Sequence, residues 1–202
     1  MTSKDMKMNF RRVTLTAALW IGAAVGVQAQ VPAPSGAAPG AQADPANAYD
    51  SLLSLFEAQF MGAAKAMPAD RYDFSPRDLA IAGATYDGVR TFGEEVKHVA
   101  QVNYFVFAVV SGLKPDTGLI NAIGDLKRKD DILAAVTKSF TFGHQAMATL
   151  TTSNAAEVVK GPLLPTLQTK ATLASFGVAH GFDHYGQMVE YLRMNGIVPP
   201  PT

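Results

Sequence analysis

The segment from Thr166 to Asn195 constrains the fold most strongly, because its apolar residues recur at the spacing of one helix face. Two histidines lie on that same face. The residues that share it at about 100° per residue are Leu173, Phe176, His180, His184, Gln187 and Tyr191. A helix with such a stripe buries it against other elements. The segment therefore predicts a long helix in a helical protein whose interior contains histidine.

The spacing of the histidines predicts a metal site. Side chains four residues apart on a helix have Cβ atoms about 5–6 Å apart, so two imidazoles at that spacing can bind one divalent ion. A third histidine, His98, lies in another stretch of helical spacing, and Val102, Phe105 and Val109 share its face. Three inward-facing imidazoles from two helices form a plausible open metal site. On spacing alone, the alternative is that these are hydrogen-bonded core histidines without a ligand.

Three further segments have helical spacing. The first begins at Asp44-Pro45, which is typical of a helix entry, and ends near Met67-Pro68. The second follows the capping box Thr91-Phe-Gly-Glu94 and extends to about Val110. The third begins at Asp130-Asp131, where acidic side chains suit the positive end of the helix dipole. Their predicted buried residues are Leu52, Leu53, Phe56 and Phe60 in the first helix and Leu133, Val136, Phe140 and Met147 in the third.

Two connections complete the domain. Residues 69–90 contain Pro76 and scattered apolar residues, which predicts mostly loop with a short strand or turn. Residues 111–129 are polar and rich in glycine and charge, which predicts a long connection. The chain shows no internal repeat and no long alternating strand pattern. We therefore predict an all-α fold, a four-helix bundle formed by residues 46–202.

Two segments resemble the DinB/YfiT-like family of small, metal-dependent helical bundles. The segment His180-Gly-Phe-Asp-His184-Tyr-Gly-Gln187, continued to Pro199-Pro200, resembles the last helix of that family. The segment Thr91-Phe-Gly-Glu94-Glu95-Val-Lys-His98 resembles its second-helix motif, whose histidine is the remaining ligand. The resemblance covers residues 49–200 in organisation. It implies that His98, His180 and His184 are the metal ligands and that the bundle has an up-down-down-up topology.

The resemblance also implies a range of functions. One is a metal-dependent hydrolase or transferase that acts on a small molecule through an open coordination position. The alternative is a non-enzymatic metal-binding or stress-related helical bundle. Imidazole ligands suit zinc and nickel, which we expect as the divalent ion. Many relatives have a second histidine and an arginine around the final ligand, whereas this chain has Asp183 and Tyr185 at those positions. The resemblance therefore implies no role for Asp183 or Tyr185.

Four residues near the predicted ligands are candidates for supporting roles. Glu94 and Glu95 lie one turn before His98 and can reach an imidazole N–H, although both also suit the capping of a helix start. Gln187 and Tyr191 lie one and two turns beyond the last histidine. They can orient water or substrate, or simply form buried hydrogen bonds.

A fourth histidine has no counterpart among the family's ligands. His144 lies on the apolar face of the third predicted helix. The sequence leaves two alternatives, that His144 contacts the metal or that it does not.

The amino terminus has the three-part pattern of a secretory signal peptide, which we assign to residues 1–29. Basic residues precede an apolar run from Val13 to Val27, and small residues at Val27 and Ala29 fit the cleavage positions. The run is shorter than the roughly 20 residues that span a bilayer. We therefore expect a periplasmic or secreted protein without a stable membrane anchor after cleavage. Arg11-Arg12 leaves twin-arginine export open beside the general secretory route.

Residues 30–45 consist mainly of small residues, proline and glutamine, which predicts a flexible linker.

Without residues 1–29 the chain retains thirteen of its seventeen basic and sixteen of its seventeen acidic side chains. This mildly acidic balance argues against a nucleic-acid partner. The chain has no cysteine, so nitrogen and oxygen ligands must hold any metal. A small molecule is the expected partner, and a homodimer is left open.

Overall fold

The computed structural model describes residues 39–160 and 168–201, and most of these residues are helical. The helices are α1 (Pro45–Ala66), α2 (Phe92–Ser111), α3 (Thr117–Ile123), α4 (Lys129–Met147) and α5 (Lys170–Met194), with short 3₁₀ turns at Ala69–Arg71 and Pro76–Leu79. The one isolated bridge in the described residues pairs Val158 with Thr169. The predicted all-α bundle is therefore confirmed. The predicted signal peptide and most of the predicted linker lie outside the described residues.

The four long helices enclose the core. Helices α1 and α2 each pack against both α4 and α5, and α3 packs against α2. Phenylalanine rings fill the centre. Phe56 is fully buried and lies edge-on to Phe60 and Phe140, with ring centroids 5.4 and 5.3 Å apart. Aromatic pairs in this geometry add to the stability that burial alone provides.

Local capping explains where the helices begin. Asp44 accepts a hydrogen bond from the Ala46 backbone at the start of α1, as the Asp44-Pro45 pattern predicts. Thr91 and Glu94 form the predicted capping box of α2. The last helix begins at Lys170, later than the predicted start near Thr166, because Thr169 is extended and caps it; Thr166 itself lies outside the described residues.

Three other expectations are corrected. The polar connection contains α3, a seven-residue helix capped by Asp116 that is too short to show a clear periodicity. Leu52 is 39% exposed, because Leu53 lies closer to the centre of the buried face of α1. Phe105 is 48% exposed, because the stripe from His98 to Val109 lies at the edge of the buried face of α2.

Glycine allows α5 to approach its neighbours closely. A Cβ added at Gly177 would lie 2.7 Å from the Phe107 ring, and one added at Gly181 would overlap the Phe56 ring. Gly181 follows His180 directly in α5. The close approach to α1 therefore occurs in the same helical turn as the histidine pair. Of the helices in the described part of the chain, none is both long and apolar enough to cross a membrane.

Candidate metal centre

The structure brings His98, His180 and His184 together between α2 and α5. The Nε2 atom of His180 lies 3.2 Å from that of His98 and 3.1 Å from that of His184. The candidate ligand atoms of all three lie within 4.8 Å of one another. His184 is buried, whereas His98 and His180 are half-buried. Three imidazole nitrogens that face one small volume, with part of it reachable from solvent, fit the donor set of a divalent metal site with an open position.

Glu95 fixes the orientation of the most buried of these rings. Its Oε2 atom accepts a hydrogen bond from His184 Nδ1 at 2.5 Å, and both side chains are almost fully buried. A carboxylate accepts, so this contact places a ring proton on Nδ1 and turns Nε2 toward His180. Carboxylates that bind the second nitrogen of a ligating histidine orient the ring and raise its basicity.

The pKa values of the other two histidines favour the neutral ring. Burial, together with the charge of Arg90 and the two neighbouring imidazoles, lowers the pKa of His98 to about 4. Burial and the neighbouring His184 lower the pKa of His180 to about 4 as well. Near pH 7 both rings therefore carry lone pairs that a metal ion can use, without the need to displace a proton.

The remaining candidates have different surroundings. Glu94 is exposed, and its carboxylate accepts a hydrogen bond from the Thr91 backbone, so it caps α2. Gln187 is half-buried and donates to Oδ2 of the exposed Asp183 at 3.2 Å. Tyr191 is buried and donates to the backbone carbonyl of Arg90 at 3.1 Å. Of the four, Glu95 is therefore the one that contacts a candidate ligand in the described structure.

His144 lies elsewhere and does not contribute to the histidine cluster. Its Nδ1 atom donates to Asp50 at 2.6 Å and its Nε2 atom donates to Glu57 at 2.9 Å, so the ring joins α4 to α1. Burial alone would lower the pKa of His144, but the hydrogen bonds and charges of the two carboxylates outweigh it and raise the pKa. Both ring nitrogens are occupied by this bridge. The structure thus assigns His144 to the packing of the bundle.

The raised pKa of His144 predicts a pH-dependent contribution to stability. The contribution is complete below the ordinary histidine value of about 6.5 and is lost as the pH rises through the raised folded-state value. We expect His144→Gln to lower the free energy of unfolding by on the order of 1 kcal/mol near pH 6, and by less near pH 9. Urea unfolding of both proteins at the two pH values measures this. An equal loss at both values would contradict the charged bridge.

A cleft of about 460 Å³ opens beside the histidine cluster. His98 contributes to its wall, and so do three basic side chains. The lining residues are Arg77, Gly88, Val89, Arg90, Glu94, Lys97, His98, Gln101 and Gly124. The two arginines could not be identified from the sequence, because they lie in the segment before α2, where periodicity assigns no face. The sequence feature that could have indicated them is their positive charge in the segment that leads directly into α2, the helix that contains His98.

Comparison with known proteins identifies a family and a fold. The family model described as the DinB superfamily matches residues 52–188. Among solved structures, the crystal structure of a DinB-like protein from Bacillus subtilis, YjoA, is similar with a TM-score of 0.55 and 15% sequence identity. The match covers 75% of this chain and 96% of that chain. None of the curated proteins matches. At this identity, the structural likeness shows a shared bundle fold.

Proposed function

Because the chain belongs to the DinB superfamily, we propose that it binds one divalent metal ion and acts on a small molecule as a metal-dependent hydrolase or transferase. His98, His180 and His184 would hold the ion, and zinc and nickel suit this donor set. The observation that carries the proposal is the convergence of three imidazole nitrogens within 4.8 Å, with Glu95 bonded to the innermost ring.

Each residue of the centre has a separate task in this proposal. The three imidazoles bind the ion, and Glu95 keeps the proton of His184 on Nδ1 so that Nε2 faces inward. Tyr191 holds the backbone at Arg90 against α5. When bound, a divalent ion with an open position supplies Lewis acidity and lowers the pKa of a bound water toward about 7. The half-buried position of His98 and His180 leaves a route for a small substrate from the cleft.

A comparison of turnover tests the enzymatic part of the proposal. The metal-loaded protein is assayed against small esters, amides and electrophiles with thiol acceptors, beside the same concentration of free metal ion. Turnover above that of the free ion, removed by a chelator and restored by the ion, supports an enzyme. If the loaded protein shows no turnover above free ion, the non-enzymatic metal-binding alternative replaces the enzymatic one.

Two adjacent glutamates provide a matched pair of variants. We expect Glu95→Gln to weaken metal affinity about tenfold, because it removes the charge that supports His184. Glu94→Gln makes the same chemical change one residue away, at an exposed capping position. It should leave the affinity unchanged, since glutamine also suits this capping position. Competition with a chromophoric chelator measures both. Equal affinities in the two variants would remove Glu95 from the proposed centre.

We also propose that the protein is exported. The charged and apolar pattern of residues 1–29 supports cleavage after Ala29. The expected result is a mature chain that begins near Gln30, found in the periplasm or the medium. Amino-terminal sequencing of protein recovered from those fractions measures this. An intact chain that begins with Met1 and is confined to the soluble cytosolic fraction would show the proposal to be wrong.

A further inference from the structure

The cleft beside His98 has a local charge that differs from that of the chain as a whole. Three basic side chains line it, those of Arg77, Arg90 and Lys97, and Glu94 is the acidic side chain in its wall. Counting the buried Glu95 as well, the balance is one positive charge before any metal ion binds. The chain without its predicted signal peptide has three more acidic than basic side chains. The cleft is therefore a positive depression in a mildly acidic protein.

The two arginines are held in place at the mouth of this cleft. Arg77 donates from Nη2 to the Val89 carbonyl at 2.9 Å, which ties the 3₁₀ turn to the segment before α2. Tyr191 donates to the Arg90 carbonyl at 3.1 Å, which ties the same segment to α5. A guanidinium has five N–H donors, and the bond to Val89 uses one of those of Arg77. The first bond holds the Arg77 guanidinium and leaves its other donors available, whereas the second fixes the backbone from which the Arg90 side chain extends.

The other two charges of the cleft are more fully engaged. Lys97 Nζ donates to the carbonyls of Gly124 and Leu126, at 2.9 and 3.3 Å, after the end of α3. The Glu94 carboxylate accepts the Thr91 N–H at 2.8 Å. Both side chains thus have structural partners. Arg77 and Arg90 are the groups best placed to bind a ligand in the cleft.

Arg90 also connects the cleft to the histidine cluster. Its Nη1 atom lies 3.9 Å from Glu95 Oε1, and the other oxygen of Glu95 accepts from His184. The Arg90 side chain is 41% exposed, whereas that of Glu95 is 2% exposed. Arg90 therefore lies between the buried carboxylate and solvent, next to the half-buried His98. A molecule that contacts both Arg90 and the metal centre needs to be only a few atoms long.

We propose that this cleft binds an anionic group, a carboxylate or a phosphate, of the small molecule on which the metal centre acts. Arg77 and Arg90 would determine that specificity, because the guanidinium fork matches the geometry of both anions. A volume of about 460 Å³ lies in the range of small-molecule sites. This inference rests on the proposed function, since it assigns a substrate class to the same centre.

Three hydroxamates of different charge test the inference. Acetohydroxamate carries a metal-binding group and a neutral tail. Succinic monohydroxamate adds a carboxylate to that tail, and phosphonoacetohydroxamate adds a phosphonate. Calorimetry measures their affinities for the zinc-loaded wild type and for Arg77→Gln and Arg90→Gln. Arg193→Gln is the control, because Arg193 is an exposed α5 arginine paired with Glu190 outside the cleft. Metal content is measured for every protein.

We expect at least one anionic hydroxamate to bind the wild type about tenfold more tightly than acetohydroxamate, and the preferred anion identifies the substrate class. Each cleft variant should lose most of that advantage, while its affinity for acetohydroxamate and its zinc content stay near those of the wild type and the Arg193→Gln control. Equal affinities for charged and neutral hydroxamates in the wild type would overturn the inference. So would an advantage that both cleft variants retain.

Failure of the metal site would give a different result. If the wild type retains neither zinc nor nickel, the proposed function fails, and the inference is then decided by titrating the metal-free chain with succinate and inorganic phosphate. Binding of either anion that Arg77→Gln weakens about tenfold, and Arg193→Gln does not, supports the cleft. Absence of such binding overturns it.

Discussion

Replacing His184 with alanine is expected to abolish stoichiometric binding of the divalent ion. The variant loses the most buried of the three imidazoles, and it leaves Glu95 without its hydrogen-bond partner. The loss should exceed the roughly 10–100-fold that removal of an outer partner costs. Elemental analysis after dialysis against trace metal, together with chelator competition, measures the stoichiometry and the affinity.

Gln187→Ala is the matched control for this variant on the same helix. Gln187 lies one turn after His184, but its amide donates to Asp183 and not to the histidine cluster. We therefore expect the variant to retain the ion with nearly the affinity of the wild type. If His184→Ala also retained one tightly held ion per chain, the proposed ligand set would be wrong.

Replacing Gly181 with alanine is expected to destabilise the bundle by about 2 kcal/mol or more, because overpacking a full core costs more than the helix propensity of alanine returns. The added methyl group would overlap the Phe56 ring. That ring cannot move aside easily, since Phe60, Phe140 and Phe182 surround it at centroid distances of 5.1–5.4 Å. Urea unfolding monitored by circular dichroism measures the loss.

Gly186→Ala makes the same substitution five residues later in α5, where the added methyl group has open space within 4 Å. Removing a helical glycine at such a position should raise the free energy of unfolding by about 0.5–1 kcal/mol. The two variants thus change stability in opposite directions. A stabilising Gly181→Ala would show that α1 and α5 do not pack as closely as described. Because Gly181 follows His180, its variant should also weaken metal affinity.

The bundle was predictable because its long helices have buried stripes that recur over many turns. The buried Leu53, Phe56 and Phe60 in α1 follow this spacing, as do Val136 and Phe140 in α4. Family resemblance added the pairing of α2 with α5, which no local pattern contains. The family match over residues 52–188 confirms that resemblance.

The sequence did not predict which of the two adjacent glutamates contacts a histidine and which one caps α2. Glu94 and Glu95 both lie in the first turn of α2, so their spacing to His98 allows either one to reach an imidazole. The choice depends on how α2 is rotated against α5, which is a property of the packed bundle. That rotation places Glu95 inside and leaves Glu94 to cap the helix. The same rotation leaves Phe105 exposed, contrary to the prediction from its stripe.

The cleft was beyond sequence analysis for a related reason. Arg77 and Arg90 line the same cleft as His98 because of the path of segment 76–91, which depends on the bonds to Val89 and from Tyr191. Helical or strand periodicity gives no information about such a segment. For His144, periodicity predicted the inward face of the helix correctly. It could not predict the partners, which are Asp50 and Glu57 on α1.

Anomalous diffraction from crystals of the zinc-loaded protein tests the central claim most directly. We predict one strong peak per chain, about 2.0–2.2 Å from one ring nitrogen each of His98, His180 and His184. The peak should disappear in His184→Ala crystals and persist in Gln187→Ala crystals. A peak held by other residues, or one with His98 at more than about twice the usual ligand distance, would contradict the proposed metal centre.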